Sequence, residues 1–144
     1  MINLVNKQNA MPEQAPDIRN KNFLEVCTGY TEEMAVREAM RCLRCRKKPC
    51  VSGCPVNIKI PDFIAKVAEG DFEAAYEIIS EDSSLPAICG RVCPQEKQCE
   101  GQCIKLKMKQ KPVAIGYLER FAADYERTSG HMQAPECAPK NGKM

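Results

Sequence analysis

Eight cysteines lie between residues 42 and 103, in two groups whose spacing could hold a metal centre. The first group has the pattern C-x2-C-x4-C-x3-C-P, and the second reads CGRVCPQEKQCEGQC. The thiols are those of Cys42, Cys45, Cys50, Cys54, Cys89, Cys93, Cys99 and Cys103. Thiols this dense hold disulfides, zinc or an iron–sulfur cluster, and each alternative implies a different class of protein.

The N-terminal residues argue against disulfides. The first 23 residues, MINLVNKQNAMPEQAPDIRNKNF, contain no apolar run of the length that a secretory signal requires. No stretch of the chain approaches the length of a membrane span, so we expect no membrane association. We therefore expect a cytoplasmic protein whose thiols stay reduced and serve as metal ligands.

The composition argues against a nucleic-acid-binding protein and indicates a small hydrophobic core. The 21 basic and 19 acidic residues give a net charge of +2, which is too balanced to indicate a nucleic-acid partner. There is no Trp, and there are only four Phe and four Tyr. Metal sites could supply the stability that so few aromatic side chains do not.

The spacing favours iron–sulfur clusters over zinc. Bacterial ferredoxins use C-x2-C-x2-C-x3-C-P, in which the fourth Cys ligates the other cluster of a pair, and the first group here has that frame with two added residues. Structural zinc takes two C-x2-C pairs or a Cys/His mixture, whereas only Cys42 and Cys45 form such a pair and His131 is the sole histidine. Eight thiols would suffice for two cubane clusters. Cys54 of the first group would then bind the second cluster, and Cys103 of the second group would complete the first. A structural zinc module for protein contact is the alternative.

Helices are predicted to position these thiols. Thr31 is a typical N-cap for a helix over TEEMAVREAMRCL, and that helix would end at the first two thiols. Gly70 and Asp71 divide a helical hairpin that begins at Pro61. A last helix is predicted after Pro112. Its expected apolar stripes and those of the earlier helices comprise Met34, Ala35, Ala39, Leu43, Phe63, Ile64, Val67, Ala68, Ala114, Ile115, Leu118, Phe121, Ala122 and Tyr125. No convincing strand pattern is present, so the predicted fold class is all-α.

Glu119 lies on the shoulder of the apolar stripe of the last helix, away from a polar face formed by Arg120, Asp124 and Arg127. Its neighbours three and four residues away include no basic residue, so it lacks a helical ion-pair partner. From the pattern alone, Glu119 is either a solvated boundary residue or a ligand.

The stretches VCTGYTEEMAVREAMRCLRCRKKPCVSGCPVNIKIPDFI, AICGRVCPQEKQCEGQC and KPVAIGYLERF resemble the N-terminal domain of the NADPH-dependent glutamate synthase small-subunit family. The same module occurs in the large subunit of the NADH-dependent ferredoxin–NADP oxidoreductase and at the front of dihydropyrimidine dehydrogenase. The resemblance covers nearly the whole chain. It implies an α-helical ferredoxin-like domain with two [4Fe-4S] clusters, next to FAD- and NADPH-binding domains.

The resemblance also implies a set of ligands. One cluster would take Cys42, Cys45, Cys50 and Cys103, and the other Cys54, Cys93, Cys99 and Glu119. Glu119 stands where dihydropyrimidine dehydrogenase has Gln. Cys89 would not be a ligand by the same comparison. We expect Cys27 and Cys137 to be ordinary thiols, and KLKMKQK, residues 105–111, to be a solvated loop rather than a docking patch. A further role stays open for these lysines, because positive charge near a cluster would favour its reduced, more negative state.

We therefore expect an extended arm over residues 1–22, a helical double-cluster domain over 23–128, and a linker over 129–144. The chain has no dinucleotide-binding fingerprint and no catalytic residue pair, so FAD and NADPH would bind to the remainder of a parent protein, from which this chain would be a front domain. It should not turn over substrate alone. Its expected function is to relay single electrons between that FAD and a larger redox subunit, such as the glutamate synthase large subunit.

Overall fold

The computed structural model describes residues 7–130, and in this range it is helical with no strand. The helices are α1 Pro16–Arg19, α2 Glu32–Ala39, α3 Pro49–Ser52, α4 Ile60–Glu69, α5 Phe72–Ser80, α6 Pro86–Val92, α7 Ile104–Lys107 and α8 Ile115–Ser129, with 3-10 turns at Gln95–Lys97 and Glu100–Gln102. The all-α prediction is confirmed for this range. None of the described helices is long and apolar enough to cross a membrane. His131, Cys137 and most of the predicted linker lie outside the described residues.

The N-terminal segment is not wholly extended, because it contains the short helix α1. Its flanks run antiparallel to each other: an isolated β-bridge joins Glu13 to Cys27, and the Thr28 N–H donates to the Pro12 carbonyl at 2.9 Å. The arm is thus fastened to the residues that precede α2.

Helix α2 begins as predicted and ends earlier. The Thr31 side chain accepts a hydrogen bond from the Met34 N–H and caps the helix. The helix stops at Ala39, so the prediction that it continues to Leu43 is wrong. Arg44 and Lys48 have φ values of 48° and 41°, and this left-handed backbone takes the thiol segment off the helical path. The first two thiols therefore lie in a turn rather than on a helix.

Helices α4 and α5 form the predicted hairpin, and α8 packs across it. Gly70 has a φ of 81°, which a Gly adopts without strain, and Asp71 caps α5 through the Ala74 N–H. Phe72 of α5 meets Phe121 of α8 edge to face, with ring centroids 4.9 Å apart. The core between these helices and α2 consists mainly of Ala35, Ala39, Phe63, Ile64, Val67, Ala75, Ile79, Leu118 and Ala122.

Helix α8 is buried on a wider face than its sequence pattern predicted. Arg120, assigned to the polar face, is only 6% exposed, so that assignment is wrong. Its guanidinium donates to the Cys27 carbonyl at 2.7 Å and forms ion pairs with Glu25 and Asp124. Arg120 is buried because the segment before α2 and helix α6 pack over this side of α8, and such tertiary contacts are not visible in the sequence pattern of the helix.

One buried ion pair joins three parts of the chain. Glu38 and Arg41 of the α2 segment pair with each other and are almost completely buried. Glu38 accepts from the backbone N–H groups of Asn9 and Ala114 at 2.9 and 3.0 Å. Arg41 donates to the carbonyls of Lys111 and Pro112 at 2.8 and 3.0 Å. The arm, α2 and the start of α8 are therefore held in one register.

Removing the carboxylate of this pair should destabilise the fold severely. Glu38→Ala leaves the Arg41 guanidinium buried without its counter-charge and removes the acceptor of two buried N–H groups, so we expect a loss of about 3–5 kcal/mol in the free energy of unfolding. Anaerobic denaturant unfolding measures it. Glu81→Ala, which breaks an exposed ion pair with Lys59, is the control and should leave the midpoint close to that of the parent chain. Equal losses in both variants would contradict the assigned role.

Candidate metal centre

The first group of predicted ligands surrounds one cavity. Cys42 and Cys45 come from the turn after α2, Cys50 from α3, and Cys103 from the residue that precedes α7. All four thiols line one cavity. Its apolar wall includes Ile60, Ile64, Val113 and Ile115, and Lys48 and Lys105 also line it. The structure thus brings together four cysteines that lie as far apart in sequence as residues 42 and 103.

The second group surrounds another cavity. Cys54 reaches it from the turn after α3, Cys93 from the end of α6, and Cys99 from between the 3-10 turns. Glu119 of α8 completes the wall with Ile58, Ser83 and two glutamines. Two sets of four candidate ligands therefore line two separate cavities.

The thiols of both cavities are shielded from water to different degrees, with Cys99 buried and the others partly buried. Burial raises the pKa of Cys50 to about 11, and the neighbouring Cys42 and Cys103 act in the same direction. Burial likewise raises the pKa of Cys93 to about 11 and that of Cys99 to about 12. Metal binding requires thiolates, and a bound metal deprotonates its thiol ligands outright. This donor set therefore suits a cationic metal centre, which would stabilise thiolates that burial alone disfavours.

Glu119 is the least satisfied polar side chain of the second cavity. It is 6% exposed, and its Oε1 has no hydrogen-bond partner. Burial raises the pKa of Glu119 to about 7. A buried carboxylate oxygen without a partner is unfavourable, and in a cavity lined by thiols a metal ion would satisfy it. The solvated alternative for Glu119 is wrong, and its role as a ligand stays a prediction.

Cys89 also lines the second cavity, although it is not in the predicted ligand set. Together with burial, its thiol raises the pKa of Cys93, and the Ser83 hydroxyl lies 4.0 Å from its sulfur. The second cavity therefore offers five candidate ligands for four positions. Cys27, by contrast, lines neither cavity.

Helix α8 relates the two cavities to each other. Ile115 lines the first cavity, and Glu119, four residues later on the same face, lines the second. Four residues of α-helix rise about 6 Å, so the cavity walls are about one helical turn apart along α8. Cys50 and Cys54, and likewise Cys99 and Cys103, are also four residues apart and divide between the cavities.

Close approach of α6 to α8 positions the second cavity. Gly90 lies between Cys89 and Cys93, and a Cβ built there would lie 2.6 Å from the Arg120 backbone nitrogen. The glycine therefore allows α6 to touch the α8 backbone one residue from Glu119. This contact brings the Cys93 thiol and the Glu119 carboxylate to the same cavity.

Lys105 is a site residue that the sequence did not reveal. It is 1% exposed and lines the first cavity, so its assignment to a solvated loop is wrong. Lys107, Lys109 and Lys111 are exposed, as predicted. The alternation of lysines in KLKMKQK contains no signal that separates the buried one from the others, because its burial depends on α4 and on the residues before α8.

The thiols do not converge as they would around a single ion. Within residues 7–130, no three side chains of His, Cys, Asp or Glu come together closely enough to hold one metal ion. Tetrahedral zinc needs all its ligands about 2.0–2.3 Å from one point.

Comparison with known proteins agrees with this donor set. The family model described as dihydropyrimidine dehydrogenase domain II, 4Fe-4S cluster, matches residues 19–131. This chain belongs to that family. It is an iron–sulfur domain, and the predicted family resemblance is confirmed.

Curated relatives of this 4Fe-4S domain are oxidoreductase subunits. The chain is 35% identical over 125 residues to the glutamate synthase (NADPH) small chain of Azospirillum brasilense, covering 86% of this chain and 26% of the relative. It is 37% identical over 121 residues to the NAD-dependent dihydropyrimidine dehydrogenase subunit PreT of Escherichia coli, covering 83% and 27%. The oxidoreductase UacF of Escherichia coli, whose function is assigned provisionally, is 40% identical over 121 residues, covering 83% and 19%. The chain spans about a quarter or less of the length of these relatives.

Gly90→Ala should damage the second cavity selectively. The added methyl cannot fit against the α8 backbone, so α6 must move away and carry Cys93 from Glu119. We expect the anaerobically purified variant to lose about half of its iron, since two cubanes hold about eight. Ile88→Ala, on an exposed position of the same helix, is the control and should keep full iron. Unchanged iron in Gly90→Ala would show that this contact is not needed.

Proposed function

We propose that this 4Fe-4S domain carries two [4Fe-4S] clusters, one in each cavity, and relays single electrons. The observation that supports the proposal is the division of nine candidate ligands between two cavities, four in the first and five in the second, with the eight predicted ligands divided four and four. The first set would be Cys42, Cys45, Cys50 and Cys103, and the second Cys54, Cys93, Cys99 and Glu119. As proposed, this is an α-helical ferredoxin-like arrangement.

The residues present fit such clusters. When bound, [4Fe-4S] clusters supply reversible one-electron transfer, with potentials set by charge, hydrogen bonds and exposure to solvent. The chain would supply the ligands and keep water away from them. Ile60 and Ile64 shield the first cavity, and Ile58 shields the second. The single turn of α8 between the cavity walls would keep the electron path between the centres short.

We further propose that the chain acts within a larger oxidoreductase. In this reading, residues 1–22 form an arm, 23–128 the double-cluster domain and 129–144 a linker toward a domain that binds FAD and NADPH. Electrons would pass between that FAD and a redox centre on a larger partner subunit, as in a glutamate synthase. The names of the relatives support a nicotinamide-dependent parent, since one is NADPH-dependent and another NAD-dependent. The chain alone would not turn over substrate.

Iron and sulfide content tests this proposal. The chain purified anaerobically should contain about eight iron and about eight acid-labile sulfide per molecule. A colourless protein with stoichiometric zinc would overturn the proposal in favour of the structural zinc module.

Single Cys→Ser variants should separate ligands from bystanders. Cys93→Ser should lose one cluster and retain about four iron, because a hydroxyl is a poor substitute for thiolate. Cys89→Ser should retain about eight, and so should the control Cys27→Ser, whose thiol lines neither cavity. If Cys89→Ser loses iron as Cys93→Ser does, the second cluster has four cysteine ligands and Glu119 is not one of them.

Substitutions at Glu119 should test the carboxylate ligand directly. Glu119→Ala would leave one iron of the second cluster without a protein ligand, so mild oxidation should give a three-iron species visible by EPR. Glu119→Gln should be tolerated better, because its amide oxygen can still reach the iron. Glu126→Ala, on the same helix and lining neither cavity, is the control. Unchanged EPR signals and potentials in Glu119→Ala would exclude Glu119 and make Cys89 the next ligand to test.

A further inference from the structure

We infer that Lys105 makes the first cavity's cluster the more easily reduced of the two, so that an electron on the domain resides there. The inference rests on the proposed occupation of both cavities. Lys105 would act through its positive charge, which favours the reduced form of the nearby cluster, and would not bind the cluster itself.

Lys105 places a cationic side chain inside the wall of the first cavity. The residue is 1% exposed and lies two positions after Cys103, one of the thiols of that cavity. Its Nζ donates to the Gln110 Oε1 at 3.1 Å. The ion pairs within residues 7–130 all involve other basic residues, so no described carboxylate offsets its charge.

Lys48 lines the same cavity, but unlike Lys105 it is paired with a carboxylate and exposed to solvent. Its Nζ lies 3.0 Å from each carboxylate oxygen of Asp62, and its side chain is about half exposed. A neutralised and solvated charge contributes little, because water and salt screen it. Of the two lysines that line the cavity, Lys105 is therefore the one whose charge is neither paired with a described carboxylate nor exposed to solvent.

The second cavity has no matching cation. Its described lining includes no Lys or Arg, and its polar residues other than the thiols are Ser83, Gln95, Gln98 and Glu119. Arg120, next to Glu119 in sequence, is paired with Glu25 and Asp124. Four thiolates in one set and three thiolates with a carboxylate in the other carry the same formal charge. The two ligand sets therefore contribute the same formal charge. We infer that the difference in reduction potential between the two clusters comes from the residues around them.

A cation beside the first cluster favours its reduced form. Reduction adds one electron and thus one negative charge, which a desolvated ammonium stabilises more strongly than an exposed one. In transfer between the two centres, the second loses one electron and the first gains it. No bond is formed or broken, and no proton is required. At equilibrium the electron should therefore be found mainly at the first cavity.

Two substitutions test the role of this charge, because one removes it and the other offsets it. Lys105→Met keeps most of the buried volume without the ammonium, and Gln110→Glu leaves the lysine in place with a carboxylate next to it. Each should lower the reduction equilibrium constant of one cluster at least about tenfold, which is about 59 mV for a one-electron couple. Lys107→Met, an exposed lysine on the same helix, is the matched control and should leave both potentials unchanged.

The measurement is a potentiometric titration of the 144-residue chain followed by EPR, with dithionite as reductant. The Cys93→Ser variant, expected to lose the second cluster, identifies the signal of the first. The inference is supported if the higher-potential signal is that of the first cluster and shifts in both Lys105→Met and Gln110→Glu. It is overturned if that signal moves no more than in Lys107→Met, or if the second cluster has the higher potential. Iron content separates the two claims, because about eight iron with unshifted potentials defeats only this inference, whereas fewer than two clusters defeats the proposed function as well.

Discussion

The buried pair of Glu38 and Arg41 is the interaction on which the arrangement of both cavities depends. Arg41 directly precedes Cys42, and Glu38 accepts from the backbone N–H of Ala114, the residue just before α8. The pair thus fixes the first thiol segment relative to the helix that carries Glu119. A buried ion pair seldom adds net stability, but it strongly disfavours arrangements that leave either charge alone. Here the surrounding hydrogen bonds satisfy both partners, so the pair selects one register of arm, α2 and α8.

With the arm, α2 and α8 held in this register, predicted ligands that are four residues apart in sequence line different cavities. Cys50 lies in α3 and lines the first cavity, and Cys54 follows that helix and lines the second. Ile115 and Glu119 divide in the same way along α8. The same short segments therefore contribute to both cavity walls, which fixes the distance between the two cavities. This sharing favours a domain in which two redox centres lie close together, as electron relay between them requires.

Local signals predicted the helices and the ligand groups, and tertiary packing decided the rest. Thr31, Gly70 and Asp71 act through their own neighbouring backbone groups, so their roles were visible in the sequence. The burial of Arg120 and Lys105 was not, because it depends on segments remote in sequence that cover them. The early end of α2 also escaped prediction, since its sequence has no Gly or Pro to mark the left-handed residue Arg44. The cysteine spacing was informative because metal ligation depends on residue type more than on surroundings.

Glu119 shows how a predicted ligand position and the stability of the fold are coupled. Its unpartnered buried oxygen costs about 1–3 kcal/mol by the usual penalty for such a group. Neither α6 nor the two glutamines of the cavity wall supplies a donor to that oxygen. A metal bound there would remove the penalty, and its binding free energy would then add to the stability of the contact between α6 and α8. A neutral amide at this position would have a smaller desolvation cost without metal and would bind iron more weakly. The carboxylate therefore makes the second cavity more dependent on its metal than an amide would.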